Sequence, residues 1–366
     1  MPRAQTDEIF DETVQGLGLA GRVCAITGST SGTGFFTAVA ALRGGAACIV
    51  LLNRPSPRAE KAREELQGLA GGATEIIPVD CDLQSFECVR AAAAIVAAET
   101  IKRGGLDVLA CNAGIMAVGD ARTVDGFDVQ MQTNHLSHFL LTKLLMPALE
   151  AAASSRGEAR VVQHSSGARK PNKRRPGSDN LVASHFERCE PGSLGGDGLG
   201  ACFGRYHQSK LSNTCFAMAL HARLSAKQSK VKSCCAEPGV AATALIRNTS
   251  AQHGWLKRRI FATVGVLTKL TGGHVQSAAD GACPLIVAAF DARTGSGDFW
   301  MPSKHIPGKK VSVHGTPAKS IEGGVPTTTH AWIVAKFESE ALTLSAANQA
   351  TLWSSSEKAI GEDWAI

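Results

Sequence analysis

The chain of 366 residues holds a single tyrosine, Tyr206, in the stretch RYHQSKLSN, and Lys210 follows it four places later. On a helix the i and i+4 side chains share a face, so phenol and ammonium would stand side by side. A free phenol titrates near ~10, and a neighbouring cation stabilises the phenolate and lowers that value. The pair reads either as an ordinary exposed helix face or as an acid beside the cation that tunes it. The spacing alone does not choose. A second chemical stretch is TGSTSGTG, residues 27–34, in which Gly28, Gly32 and Gly34 accompany the hydroxyls of Thr27, Ser29, Ser31 and Thr33. The glycines allow a tight turn and let the backbone approach a pyrophosphate at the amino end of the next helix, where unpaired N–H groups and the helix dipole favour an anion. The weight of this stretch lies in its place, between an apolar run and a helix-length segment.

Short β-rich runs alternating with helix-length segments position these residues. Strands are expected at 22–27, 46–52, 74–79, 106–112, 159–166 and 231–238, and helices at 32–43, 56–70, 83–103, 125–150 and 203–224. The strands are almost continuously apolar, as expected when helices cover both faces of a sheet. Repeated βα units with right-handed crossovers make the fold class α/β, a Rossmann-type doubly wound parallel β-sheet in a single domain. Such a sheet binds ligands at the carboxyl ends of its strands. The domain spans 21–301, with an insert at 167–204 and a substrate loop at 240–275. An N-terminal extension, 1–20, precedes it, and a C-terminal extension, 302–366, ends in a helix near 345–361.

Apolar residues at 44% and charged residues at 19% suit a globular core and exclude a disordered chain. The net charge of +6 fits an anionic ligand without demanding one. Eleven cysteines, with no CxxC pair and no His/Cys ligand spacing, signal neither a disulfide framework nor a metal site. Reduced, buried thiols point to a reducing compartment, here the cytoplasm. The first 20 residues lack an apolar signal core, and no run of 18 apolar residues occurs, so neither a leader nor a membrane span is expected. The sequon at Asn248 is discounted on the same ground. The basic run from Arg169 to Arg175 reads as a solvated loop or substrate lid rather than a nucleic-acid patch. The apolar and basic stretch 255–270 reads as a substrate lid, with peripheral membrane contact as its alternative. His135, His138, His164 and His207 flank the motifs without metal spacing and read as structural histidines.

The order of the motifs resembles the short-chain dehydrogenase/reductase family. TGSTSGTG has that family's TGxxxGxG spacing, and CNAG at 111–114 is similar to its NNAG, with Cys111 replacing the first asparagine before Asn112, Ala113 and Gly114. DGFDVQMQTNHLSHFLLT resembles the helix that carries the family's structural asparagine, here Asn134. HSS closes the fifth strand, YHQSK is the YxxxK, and EPGVAAT, with Pro238, Gly239, Val240 and Thr243, resembles PGxxxT. The resemblance covers about residues 20–300. NHLxHFLLT, and LW followed by SE near the end, resemble the branch of retinol dehydrogenases, WW-domain oxidoreductases and protochlorophyllide oxidoreductases. It implies that Tyr206 exchanges a proton with a substrate oxygen as hydride moves. Lys210 would tune it and bond the nicotinamide ribose, and Asn134 would hold a water that leads to solvent. A strand-end serine would hold the substrate oxygen. Side chains alternate along a strand, so one of two points in, and the family pattern selects Ser166 with Ser165 as the fallback.

The resemblance also places cofactor choice after the second strand, where this chain has Asn53 and Arg54 and no acid until Glu60. A guanidinium there suits the 2′-phosphate of NADP(H). Asp82 and Leu83 resemble the adenine-contacting pair. The expected activity is interconversion of a carbonyl and an alcohol on a small apolar molecule by a monomer or homodimer. The alternatives are reduction of a C=C bond in a pigment-like substrate and a non-enzymatic dinucleotide-binding regulator. Arg54→Ala should raise the apparent NADPH constant roughly ten- to a hundredfold, the equivalent of ~1.5–3 kcal/mol, and leave NADH little changed. Titrating both cofactors checks this, and equal losses would show that Arg54 serves the fold instead.

Overall fold

The computed structural model describes residues 7–170, 180–239, 277–302, 320–322, 334–337 and 341–366. Seven strands run parallel: β1 (Val23–Thr27), β2 (Cys48–Asn53), β3 (Glu75–Asp80), β4 (Val108–Cys111), β5 (Ala159–His164), β6 (Val231–Ala236) and β7 (Phe299–Pro302). Beyond β7 lie two antiparallel strands, β8 (Ser320–Glu322) and β9 (Val334–Phe337), and the order across the sheet is β3-β2-β1-β4-β5-β6-β7-β9-β8. Chain direction across the sheet reverses between β1 and β4, which opens a crevice at their carboxyl ends. The expected doubly wound sheet is present. The six expected strands are β1–β6, and sequence reading did not identify β7, β8 or β9.

β1, β2, β4 and β5 are buried along their whole length, whereas β3, at the edge, alternates buried and exposed residues. Helices cover both faces. One side carries α1 (Asp7–Val14), α2 (Gly32–Arg43) and the helix Ala278–Phe290, which bury Phe10, Val39 and Ile286 against the sheet. The other side carries α4 (Phe86–Ile101), α6 (Ser137–Arg156) and α7 (Leu199–Ala226). On the first side, with Leu66 in the same apolar cluster, α3 (Pro57–Ala70) starts at Ser56, whose hydroxyl accepts from the Ala59 N–H, and stops at Gly71 in the left-handed region. α7 is buried along much of its length, so Tyr206 and Lys210 do not sit on an exposed face.

Two segments that the sequence reading sets outside the domain contribute buried side chains. Phe10 and Val14 pack beside α2. At the other end, the helix Ala346–Ile360 lies on α6 and α7, with Leu352, Trp353 and Trp364 in the main core. The Trp353 and Trp364 rings stack at 5.1 Å, and Phe139 meets them edge-on at 5.2 and 5.1 Å. The Arg223 guanidinium covers Trp353 at 3.7 Å. Residues 180–186 of the insert join the same layer: Leu181 N–H donates to Asn348 Oδ1 and Val182 N–H to Gln208 Oε1, and Phe186 is buried against His135. Residues 171–179 of the insert and the whole substrate loop, 240–275, with the sequon and the 255–270 stretch, lie outside the described residues.

A buried aromatic of this kind costs about 3–5 kcal/mol to truncate, whereas an appended tail residue costs about 0.5 kcal/mol or less. Trp353→Ala should therefore show the larger loss when unfolding is followed in urea.

Candidate active site

The carboxyl ends of the strands bring the expected residues together in two groups. The first is a cradle around the turn after β1. Gly28 has φ +70°, and a Cβ placed on it would lie 2.8 Å from the Ala113 backbone. A Cβ on Gly34 would lie 2.3 Å from Asn112 Nδ2 and 2.4 Å from Gly28 O. Only glycine fits at either position. Gly32, at φ +64°, opens α2. Ser31 sits at the N-cap of α2, and its hydroxyl makes no capping bond, so it leaves the first-turn N–H groups to a ligand.

Several residues assigned to the cofactor build this cradle with side chains bonded to one another. Thr27 Oγ1 accepts from the Asn112 and Ala113 N–H groups at 2.9 and 3.0 Å. Asn112 Nδ2 donates to Thr27 O and Gly28 O, and its Oδ1 accepts from Thr33 Oγ1 at 2.8 Å. Asn53 accepts from Ser29 N–H at 2.8 Å and donates to Ser29 Oγ at 2.9 Å, which fastens the end of β2 to the turn. Beside it a cavity of about 170 Å³ is lined by Asn53, Ser56, Glu60, Arg63 and Asp80. Arg54 is exposed and makes no hydrogen bond or ion pair among the described residues. Asp82 Oδ1 accepts from Gln84 N–H, and Leu83 offers its carbonyl to Ser137 Oγ. The glycine cradle, the uncapped helix start and the open guanidinium fit a dinucleotide.

The second group surrounds Tyr206. Asn134 lies in a π-helical turn, Gln132–Leu136, between the short α5 (Val129–Met131) and α6. Such turns are uncommon and widen the helix by one residue. Asn134 Oδ1 accepts from Ile115 N–H at 2.8 Å, and its Nδ2 donates to Ile115 O and to Ser209 Oγ, both at 2.9 Å. Its side chain thus joins the loop after Gly114 to α7. Lys210 Nζ donates to His164 O at 2.8 Å and stands 6.0 Å from the Tyr206 ring centroid. Ser165 Oγ donates to Lys210 O at 2.9 Å and accepts from Thr214 Oγ1, so it faces α7 and away from the cleft. Ser166 is the serine that acts on the Tyr206 phenol, favouring its ionised form. Of the two serines, the structure brings Ser166 to Tyr206.

Burial dominates the electrostatics. It pushes the Tyr206 phenol up to about 12, against the pull of the Ser166 hydroxyl and aided by the Glu237 carboxylate. Sequence reasoning expected the neighbouring lysine, together with the positive nicotinamide of an oxidised cofactor, to bring this value down. Without an ammonium in contact with the oxygen, desolvation of the phenolate wins. Burial likewise takes Lys210 down to about 8. Pro238 and Gly239 follow Glu237, with Gly239 at φ +65°, while Val240 and Thr243 lie outside the described residues.

Sequence reasoning missed three buried links. His138 Nδ1 lies 3.0 Å from Asn134 O, an acceptor only, so Nδ1 carries the proton. His138 Nε2 then accepts from Thr27 Oγ1 at 2.9 Å and ties the cradle to the π turn. Arg205 Nε meets Asp128 Oδ2 at 3.1 Å, and its Nη1 donates to Gly196 O, which pins α7 to the start of α5 and to the insert. Arg169, taken for part of a solvated run, is 1% exposed and paired with Glu237. Neighbouring basic residues hid it in the sequence. Among the described residues no group of His, Cys, Asp and Glu could hold a metal, and no helix is long and apolar enough to cross a membrane.

Comparison with known proteins accords with this geometry. The short chain dehydrogenase profile matches residues 22–176. Polyprenol dehydrogenase of Mus musculus is 32% identical over 271 residues, covering 74% of this chain and 71% of that protein. Retinol dehydrogenase 11 of Homo sapiens is 32% identical over 242 residues, covering 66% of this chain and 67% of that protein. A crystal structure of an uncharacterized protein from Mycobacterium Paratuberculosis superposes with a TM-score of 0.65 at 26% identity, covering 97% of this chain and 98% of the other.

Three buried histidines carry a pH signature. Burial lowers His135 to about 3, His138 to about 4 and His164 to about 3. A depressed folded-state value means that the unfolded chain binds protons first, so stability is full above ~6.5 and falls as pH drops toward the folded values. Each histidine should contribute a slope of up to ~1.4 kcal/mol per pH unit in that window. Urea unfolding at stepped pH below neutrality measures it, and a flat profile would exclude neutral buried imidazoles.

Proposed function

The chain belongs to the short chain dehydrogenase family, among its retinol dehydrogenase-like members, and on that premise we propose an NADP(H)-dependent oxidoreductase that interconverts an alcohol and a carbonyl on an apolar molecule. The observation that carries this reading is the gathering of Ser166, Tyr206 and Lys210 at the strand ends, with Lys210 one helical turn from Tyr206, 6.0 Å from its ring centroid and anchored by His164 O. Polyprenol and retinol, named for two relatives, are apolar alcohols and support the substrate class. Arg54, exposed just after β2, supports a 2′-phosphate on the cofactor.

In this reading the nicotinamide ring supplies or takes the hydride. Ser166 Oγ and the Tyr206 hydroxyl converge on the substrate oxygen, Ser166 orienting it and Tyr206 exchanging its proton. A buried phenol that holds its proton well above neutral pH is in the correct state to act as the acid of carbonyl reduction. Lys210, anchored by His164 O, presents positive charge to the cofactor ribose and to Tyr206. Asn134 fixes the wall opposite them through Ile115 and Ser209. The cytoplasm and a monomeric or dimeric state belong to the same proposal.

Tyr206→Phe should lower turnover on retinoid, steroid or lipid carbonyls by about a hundredfold or more and leave NADPH affinity nearly unchanged. Lys210→Ala should impair both. Cofactor absorbance against a carbonyl panel gives the answer. A phenylalanine variant that keeps a tenth of the rate would remove Tyr206 from the chemistry, and tight NADPH binding without turnover would favour a regulator.

A further inference from the structure

Arg169 and Glu237 are each 1% exposed and paired where β5 and β6 end. Taking two charges out of water costs several kcal/mol per ion, and an apolar pair of similar volume often serves stability as well. The surroundings of the pair are specific. Arg169 closes the 3₁₀ turn Gly167–Arg169, for which Ser166 is the N-cap, and its Nη1 donates to Ser166 O at 3.0 Å. Its guanidinium lies 4.4 Å from the Phe299 ring centroid. Ala168 O in the same turn accepts from His207 Nδ1 at 2.6 Å, one residue beyond Tyr206. Glu237 N–H donates to Trp300 O at 2.9 Å, so its backbone is fixed as well. Glu237 Oε2 takes the Arg169 bond, while Oε1 is buried with no hydrogen-bond partner among the described residues.

We infer that Arg169 and Glu237 are positioning residues for the catalytic acid: Arg169 holds the Ser166 turn against the helix of Tyr206, and the Glu237 carboxylate it carries adds to burial in keeping Tyr206 protonated until substrate and cofactor are in place. The charged and titratable groups around Tyr206 among the described residues are Lys210, His207 and Arg205 on its own helix, His164 and Arg169 at the end of β5, and Glu237 at the end of β6. Glu237 is the carboxylate among them that acts on the phenol. A neutral side chain at 237 leaves Arg169 as a buried cation and favours phenolate. A neutral side chain at 169 leaves the carboxylate unbalanced and favours the phenol. The two substitutions therefore act with opposite sign, which loss of packing does not do, because loosened packing hydrates the phenol in both.

This inference rests on the role proposed for Tyr206, yet its test does not need catalysis. The chain holds one tyrosine, so the tyrosinate ultraviolet band reports that residue alone, in free protein, with near-ultraviolet dichroism verifying the fold at each pH. Glu237→Gln should lower the ionisation midpoint by about one unit, Arg169→Gln should raise it, and the double variant should fall between them. Glu237→Asp, which keeps the charge, should stay near wild type and decides the matter if Arg169→Gln does not fold. The pH limb of alcohol oxidation at saturating cofactor should move in the same directions. Single variants that shift the midpoint in the same direction, or Glu237→Gln and Glu237→Asp that shift it equally, would overturn the inference. Activity that survives Tyr206→Phe would instead overturn the proposed chemistry and leave this titration result standing.

Discussion

The Thr27 hydroxyl is the joint on which the two halves of the site hang. It accepts the N–H groups of Asn112 and Ala113 and donates to His138 Nε2. Through His138 it reaches the carbonyl of Asn134, and through Asn134 the loop at Ile115 and the helix of Tyr206. The arrangement works only because His138 is neutral with its proton on Nδ1; a charged ring would offer Thr27 a second donor and no acceptor. The dinucleotide cradle and the acid are thereby held in one buried network, where each missing partner would leave a polar group unpaired at a cost of ~1–3 kcal/mol.

Much of this was readable from residue order because the parallel sheet writes itself plainly. Buried strands are short apolar runs, and the turns that follow them carry the glycines and hydroxyls. Gly28 and Gly34 were found as a motif, and the structure adds the reason: an added Cβ collides with Ala113 or with Asn112 and Gly28. The choice between Ser165 and Ser166 followed the family pattern, and in the structure it is Ser165 that is bonded to α7. What escaped were interactions between residues far apart in sequence. Arg169 and Glu237 stand 68 residues apart, and no local pattern pairs them. The helix Ala278–Phe290 is buried nearly all round and so has no amphipathic period to read. The strands β8 and β9 have three and four residues, too short for a pattern to stand out.

Burial governs the electrostatics of the free chain. Lys210 and the positive nicotinamide of an oxidised cofactor were read together as bringing the phenol toward neutral pH; in the chain alone both Tyr206 and Lys210 are nearly dry and each is displaced toward its uncharged form. Desolvation outweighs a cation whose nitrogen is bonded to a carbonyl. The helix that carries both is locked by Arg205 to Asp128 at one end and by Ser165 and Thr214 along its side. The resting site is therefore organised in geometry and withheld in charge.

The aromatic seal between the last helix and α6 has a consequence for synthesis. His135 bonds Ser356, a residue 221 positions later, and Phe139 meets Trp353 and Trp364. A ribosome adding roughly 5–20 residues per second leaves that apolar face open for on the order of ten to forty seconds after α6 emerges. During this interval the nascent sheet can pair while one side of its core remains uncovered. Completion of the core is thus vectorial: the chain must finish its helix Ala346–Ile360 before α6 and α7 are sealed, and the nascent protein presents a transient sticky flank to the folding machinery of the cell.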